Sequence, residues 1–443
     1  HADSVHHIVN HSESKFLFTS DQIWENLDEK QMQDIKAIFS LTDFKCLYEY
    51  KDNKFTSILS ALDKEMEVKY PEGFSKKDVK YADVDNSEMV LLNYTSGTTG
   101  FSKGVMLSAN NLAGNVTFLI KQNILQKGHT VVSFLPLAHA YGCTVDFLYS
   151  LAVGTHIVLI GKTPTPKILL QAFAEYKPNL IVSVPLILEK IFKKSIQPEL
   201  ESKTMKIALN IPIVNQKIYS KIRQKLIDLF GGNFSQIIIG GAPLNGEVEA
   251  FLSKIKFPFT VGYGMTECAP LISFSKYMDF APTSCGHILK GVMELRVDSS
   301  DPYNVIGEIQ VRGENVMLGY YKKEDATKAA FTEDGWLKTG DLGTIDHEDR
   351  IFLRGRSKSM ILGPNGQNIF PEEIEAKINN MPYVMESLVV NRNGKIIALV
   401  YPDYEAMDAD GISSSDLGGV MDMNKDNLNK TLSSFENISA IHI

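Results

Sequence analysis

The sequence predicts an α/β protein: a large N-terminal domain of mainly parallel sheet with a small β-rich subdomain, followed by a smaller α+β C-terminal domain. Three observations carry this. Short apolar strands alternate with helical segments up to Gly286, helices thin out beyond it, and a new helix–strand–strand pattern begins after Lys358. Strand–helix alternation is the pattern of a parallel sheet covered on both faces.

In chain order, residues 1–90 pair apolar runs at 16–18 and 46–48 with polar helical segments such as 28–39. An apolar strand over 89–93 runs into a Gly/Thr/Ser loop, and a helix is expected from Ser108 as N-cap. The stretch 143–160, interrupted by Asp146, Gly154 and His156, reads as a buried helix followed by a strand. Further strands are expected at 131–135, 156–160, 180–184 and 236–239, with helices at 166–176 and 186–194 between them. Beyond Gly286, strands at 293–297, 307–312, 342–346 and 350–354 make the β-rich subdomain. The last unit has a helix over 371–378 and strands over 388–391 and 395–400; residues 403–437, polar and acidic, are expected to form an exposed insertion. The expected domains are therefore 1–356, a hinge at 357–358, and 359–443.

Composition narrows the function classes. With 443 residues, 44% apolar and 22% charged, the chain is ordinary globular protein of several domains. A formal charge of −8 argues against bulk attraction to nucleic acid. Residues 162–230 run against this balance, with 12 Lys/Arg and 5 Asp/Glu. A solvated helical face is the plainer account of them, and contact with a membrane surface the alternative. Cys46, Cys143, Cys268 and Cys285 are scattered, as in a cytosolic protein with reduced thiols. No charge-free run long enough to cross a bilayer occurs, and no basic-then-apolar leader follows His1. A cytoplasmic protein is expected, with peripheral membrane contact through the basic region and homodimerisation both compatible with the sequence. Both ends read as cut, the last at what looks like a strand.

The strongest chemical signal is Tyr94-Thr-Ser-Gly-Thr-Thr-Gly-Phe-Ser-Lys-Gly104. Glycines let backbone N–H groups converge on an anion, hydroxyls add uncharged donors, and a lysine offsets phosphate charge. The spacing is not that of a P-loop, because Ser102 and Gly104 stand where a glycine and a magnesium-binding hydroxyl belong. Thr266-Glu267 sets a hydroxyl beside a carboxylate, a pair suited to phosphate and a hard cation. Gly240-Gly241-Ala242 ends an apolar strand, leaving space for a flat ring at the sheet edge that favours ligands. Asp341 is a pure acceptor that suits sugar hydroxyls. Taken singly, a capping Thr, a turn Gly-Gly, a capping Asp and a core histidine at His139 are the more ordinary accounts.

Taken together, these motifs resemble the adenylate-forming superfamily of acyl-CoA synthetases, luciferases and peptide-synthetase adenylation domains. Phe134-Leu-Pro-Leu-Ala-His139, Gly240-Gly-Ala-Pro-Leu244, Gly262-Tyr-Gly-Met-Thr-Glu267, Gly307-Glu-Ile-Gln-Val-Arg-Gly313, Thr339-Gly-Asp-Leu342 and Gly355-Arg356 follow the loop in the family's order. The resemblance implies ATP, Mg²⁺ and CoA as reactants. It places Thr95, Ser96, Gly97, Thr98, Thr99, Gly100, Lys103 and Thr266 on phosphate, and Glu267 on the metal. Gly241, Ala242, Pro243, Gly262, Tyr263 and Gly264 fall around adenine, and Asp341 with Arg356 on ribose. It also implies His139 and Gly264 beside the acid, Lys358 as the hinge, and Gly366 near the pantetheine path. Small residues at Ala138, Ala140, Gly142 and Gly264 would leave room for an alkyl tail.

The Phe134–His139 motif, the turn 362–366 and the segment 368–375 are similar to those of long-chain fatty acid–CoA ligases, especially bacterial ones. A long-chain fatty acid is the expected substrate. Aryl and short-chain acids, an acyl carrier protein acceptor, and a nucleotide- or acyl-AMP-binding relative that has lost turnover are the alternatives. The resemblance also implies a catalytic lysine late in the C-terminal domain. No matching motif occurs before Ile443, and Lys430 lies in another context, so this chain is expected to be a truncated form, poor at the first half-reaction.

Overall fold

The computed structural model describes residues 2–51, 54–95, 103–363 and 367–443. Two compact units are formed by His1–Met106 and Leu107–Ile443.

In the first unit, strand Phe16–Thr19 runs parallel to Ala37–Ser40, which pairs antiparallel with Cys46–Glu49. Helix Ala2–His11 contributes Val9 to a small core with Met32, Ile35 and Ile38, and Trp24 packs 6.4 Å from the ring of Tyr48. The helix expected over 28–39 is not there. Asp28 caps one 3-10 turn, Glu29–Gln31, and the chain then extends into the strand Ala37–Ser40. Met32, Ile35 and Ile38 are spaced like a helical stripe, but Ala37-Ile38-Phe39 is buried without a break in the centre of the three strands. Continuous burial is a central strand's pattern and overrides the periodicity.

The second unit opens on helix Ala109–Gln122. Ser108 is its N-cap, as expected, and forms a capping box, with the Ser108 hydroxyl accepting from the Asn111 N–H and the Asn111 side chain reaching back. Strands Thr130–Ser133, His156–Leu159, Ile181–Ser183, Ile237–Ile239 and Phe259–Val261 are all paired in parallel, with a bridge at Val131–Leu180 joining the two groups. Their interiors are nearly all Ile and Val, the composition of strands covered on both faces. Helices Pro166–Tyr176 and Pro185–Ser195 lie where the sequence puts them. The 143–160 stretch forms a helix and then a strand, but its first two turns, Gly142–Leu148, are π-helical.

Strands Met293–Asp298, Gly307–Gly313, Leu337–Ile345 and Ile351–Arg356 form the expected antiparallel β-rich part, in the order written. Trp336 lies between two guanidinium groups there, Arg296 and Arg312, each 4.7 Å from the ring centre.

The last 80 or so residues have a core of their own. Helix Pro371–Ile378 packs on the hairpin Val384–Arg392/Lys395–Pro402, and strand Ala440–His442 adds in parallel to the latter. Residues 403–437 are not an exposed insertion. They form helices Tyr404–Asp410 and Leu417–Asn429, which bury Met407, Leu417, Met421 and Leu428 in that core. Leu417, Met421, Asn424 and Leu428 fall at i, i+4, i+7 and i+11, one helical stripe hidden among acidic and glycine neighbours.

Candidate nucleotide site

In the first unit, Thr95 closes strand Met89–Thr95 and Lys103 opens strand Lys103–Ser108, hydrogen-bonded to it. The phosphate-type loop therefore links two strands of a sheet, and does not lead straight from strand to helix. Ser96, Gly97, Thr98, Thr99 and Gly100 lie outside the described residues. Gly104 has a steric reason: a Cβ there would fall 2.9 Å from Leu92 and 3.3 Å from the Tyr94 ring. The Tyr94 hydroxyl shares a 2.7 Å hydrogen bond with Nδ1 of His11.

In the second unit, neighbouring parallel strands deliver two glycine-led segments to one sheet edge, a loop and the start of the short strand Tyr263–Gly264. Ile237–Ile239 ends in Gly240-Gly241-Ala242-Pro243, and the neighbouring Phe259–Val261 ends in Gly262-Tyr263. The Gly262 N–H donates to the Ile239 carbonyl at 2.9 Å, fixing the two segments side by side. Gly241 turns at φ +89°, the left-handed region open to glycine, and Gly241, Ala242 and Pro243 are exposed. Beneath them lies Tyr141, whose hydroxyl donates to the Ile238 carbonyl at 3.1 Å. A Cβ on Gly240 would stand 3.1 Å from its ring.

Asp341 and Arg356 face each other across the antiparallel pair Leu337–Ile345/Ile351–Arg356. Asp341 as a whole is 6% exposed. One oxygen accepts from the Tyr263 hydroxyl at 2.6 Å, the other from Arg356 Nε at 2.9 Å. Burial first, and the adjacent Asp341 charge second, push the Tyr263 phenol well above its ordinary range, so it stays a donor. Tyr263, Asp341 and Arg356, far apart in sequence, are thus brought together at the edge where Gly241 and Gly262 emerge.

Thr266 and Glu267 lie on a 3-10 turn, Thr266–Cys268, just past Tyr263. One Glu267 oxygen accepts from the Tyr320 hydroxyl at 2.8 Å, and burial with the Glu267 charge raises the Tyr320 phenol. The other oxygen makes no protein hydrogen bond among the described residues. A half-buried carboxylate with one oxygen anchored and one unengaged suits Mg²⁺, which takes few protein ligands and completes its shell with phosphate and water. The turn is clamped from helix Ala109–Gln122. The Asn115 amide donates to the Cys268 carbonyl at 3.2 Å and its oxygen accepts from Leu271 N–H at 2.9 Å, while Asn111 donates to the carbonyls of Glu314 and Val316. Sequence reasoning missed Asn111, Asn115, Tyr141 and Tyr320. Two asparagines four apart inside a helix, where that residue is a poor choice, were the available signal.

His139 is exposed on the turn before the π-helical segment, with Ala140 buried just after it. Gly142 approaches a backbone carbonyl: a Cβ would fall 2.5 Å from the Pro136 oxygen. The Cβ position of Gly264 is occupied by the Pro270 carbonyl. Within the π-helical segment Asp146 is fully buried, accepts from the Ser133 hydroxyl at 2.7 Å, and is pushed up to about 7 by burial. Lys358 is exposed two residues past Arg356, on a turn where Ser357 N–H donates to the Gly340 carbonyl at 2.8 Å. Gly366 lies outside the described residues.

The description of AMP-binding enzymes matches residues 1–321, most of the chain. The chain belongs to the AMP-binding enzyme family. This bears out the adenylate-forming resemblance of its motifs. This family member is 30% identical over 356 residues to the long-chain-fatty-acid–CoA ligase FadD15 of Mycobacterium bovis, a match covering 74% of the chain and 57% of the relative. It is 31% identical over 330 residues to 4-coumarate:CoA ligase 1 of Petunia hybrida, covering 71% of the chain and 55% of that relative. The chain thus spans little more than half the length of these curated relatives. Its fold is that of ATP-bound MatB from Rhodopseudomonas palustris, with a TM-score of 0.70 and 23% identity over 100% of this chain and 78% of that one.

Proposed function

We propose that the chain carries the nucleotide and acid sites of an AMP-forming acyl-CoA synthetase acting on a long-chain fatty acid. The observation that supports this best is the buried Asp341 carboxylate held between Tyr263 and Arg356 beside two glycine-ended strands. Each carboxylate oxygen keeps a second lone pair, so Asp341 can still accept from both ribose hydroxyls. Gly241, Ala242, Pro243 and Gly262 border the adenine and Tyr263 flanks it. Thr95, Ser96, Gly97, Thr98, Thr99, Gly100 and Lys103 hold the outer phosphates, and the Thr266 hydroxyl holds the α-phosphate. Glu267 would hold Mg²⁺, which supplies charge neutralisation on the phosphates.

In the first step an oxygen of the fatty carboxylate bonds to the α-phosphorus, the bond to the bridging oxygen breaks, and pyrophosphate leaves with those electrons. No base is needed, since a carboxylate is ionised at neutral pH. Charge on the transferring phosphate is spread by Lys103 and loop N–H groups. In the second step the CoA sulfur bonds to the acyl carbon, the acyl carbon–oxygen bond breaks, and AMP leaves while the thiol proton passes to solvent. His139 and Gly264 border the acid, Gly366 the pantetheine path, and Lys358 is the pivot between the steps. The long-chain assignment leans on the relative FadD15 and on the form of the Phe134–His139 motif. An aryl acid is the second reading, favoured by the similar identity to 4-coumarate:CoA ligase 1.

The test is AMP release by the full-length gene product, with and without CoA, from palmitate, octanoate, 4-coumarate, benzoate and amino acids. Release with palmitate and CoA alone is the expected result. Release with 4-coumarate instead transfers the site to aryl acids. No release with any acid, in a protein that still binds ATP, overturns the catalytic reading.

A further inference from the structure

The basic region has a structure that a merely solvated face does not require. Residues 202–225 contain six Lys or Arg and no Asp or Glu, in a chain whose net charge is −8. They form helix Lys203–Leu209, a tight turn, and helix Val214–Leu229. Lys203, Lys206 and Ile207 fall at i, i+3 and i+4 on the first helix; Val214, Lys217 and Lys221 fall at i, i+3 and i+7 on the second. At the turn between them the apolar side chains face solvent: Ile207 is 67%, Ile211 47% and Ile213 71% exposed. Ile222 and Leu226 bury a different side of the second helix. Ile213 also stands at φ +73°, a left-handed conformation that a β-branched residue resists. Lys203, Lys206, Lys217 and Lys221 are exposed and pair with no carboxylate among the described residues, whereas Lys225 is held by Glu199.

We infer that this helix–turn–helix tip is a docking surface for an anionic lipid bilayer, its isoleucines entering the headgroup layer while the flanking lysines meet lipid phosphates. Charge complementarity selects this occupant. An apolar tip ringed by unpaired lysines matches an interface that is apolar within and anionic at its surface. A second copy of the chain is disfavoured, because a two-fold contact would set the same basic patch against itself. The inference does not depend on the identity of the acid, and its test involves no turnover.

The test is flotation of the full chain with phosphatidylcholine vesicles, with and without phosphatidylglycerol. Binding is expected only with phosphatidylglycerol and should fall as salt is raised. At roughly 1 kcal/mol per lysine near a charged membrane, each of Lys203→Gln, Lys206→Gln, Lys217→Gln and Lys221→Gln should weaken it about fivefold. Ile207→Ser with Ile213→Gly should also weaken it at unchanged melting temperature, since both residues are exposed and glycine relieves the strained φ. Equal flotation with both vesicle types, or flotation that survives the fourfold lysine variant, overturns the proposal. Self-association lost in the isoleucine variant, without vesicle binding, assigns the tip to a second copy and also overturns it.

Discussion

Asp341 shows how much one side chain has to satisfy. Its carboxylate is buried between a phenol and a guanidinium that come from different strands. Tyr263→Phe removes one donor and strands a buried carboxylate oxygen. Unfolding stability should fall by about 1–3 kcal/mol, and nucleotide affinity with it; urea unfolding and ATP titration of the same variant check both. Asp146 makes the opposite case, a carboxyl that burial pushes up to about 7 from an ordinary 3.8. Between those values the folded protein keeps a proton that the unfolded chain has released. The stability this group contributes is complete below the lower value and is lost as pH rises to the upper one, at most about 1.4 kcal/mol per pH unit. Asp146→Asn keeps an acceptor for Ser133 but cannot titrate. Its stability relative to the parent should therefore climb with pH up to about 7 and level off above it, as urea unfolding across a pH series would show.

At the scale of elements, helix Ala109–Gln122 does more than cover a sheet. Asn115, fully buried, ties its second turn to the Thr266–Cys268 turn and to strand Leu271–Phe274. Asn115→Ala leaves a carbonyl and an N–H unpaired. It should cost roughly 1–3 kcal/mol for each and weaken ATP binding through a loosened Thr266–Glu267, although neither variant atom touches nucleotide; calorimetric titration reads the second effect. Tyr263, Thr266, Glu267, Asp341 and Arg356 could be picked out as candidates because each lies in a short motif that is local in sequence. Asn115 was not, because the turn and the strand that it clamps lie more than 150 residues away. Residues 28–39 were misread for a related reason. A spacing of three fits a helix, and only the strands on either side, at 16–19 and 46–49, make it a strand. The loop after Thr95 was recognisable by composition, while its placement between two strands depends on the pairing of Lys103–Ser108 with Met89–Thr95.

At the scale of the whole molecule, the polar stretch after Pro402 turns out to close a hydrophobic core. Leu428→Ala empties a fully buried position there and should cost about 2–5 kcal/mol. Hydrogen exchange should speed up in strands Val384–Arg392 and Lys395–Pro402, which share that core, and stay unchanged in the parallel sheet. A different consequence follows from where the two tryptophans lie. The sequence has only two; Trp24 belongs to the first compact unit, and Trp336, held between Arg296 and Arg312, to the second. Tryptophan emission, excited at the red edge where tyrosine does not absorb, is therefore a two-channel signal: with Trp24→Phe the light reports on the second unit alone, and with Trp336→Phe on the first alone. Denaturation followed in the two variants then tells whether the units melt together or one after the other, with no label added.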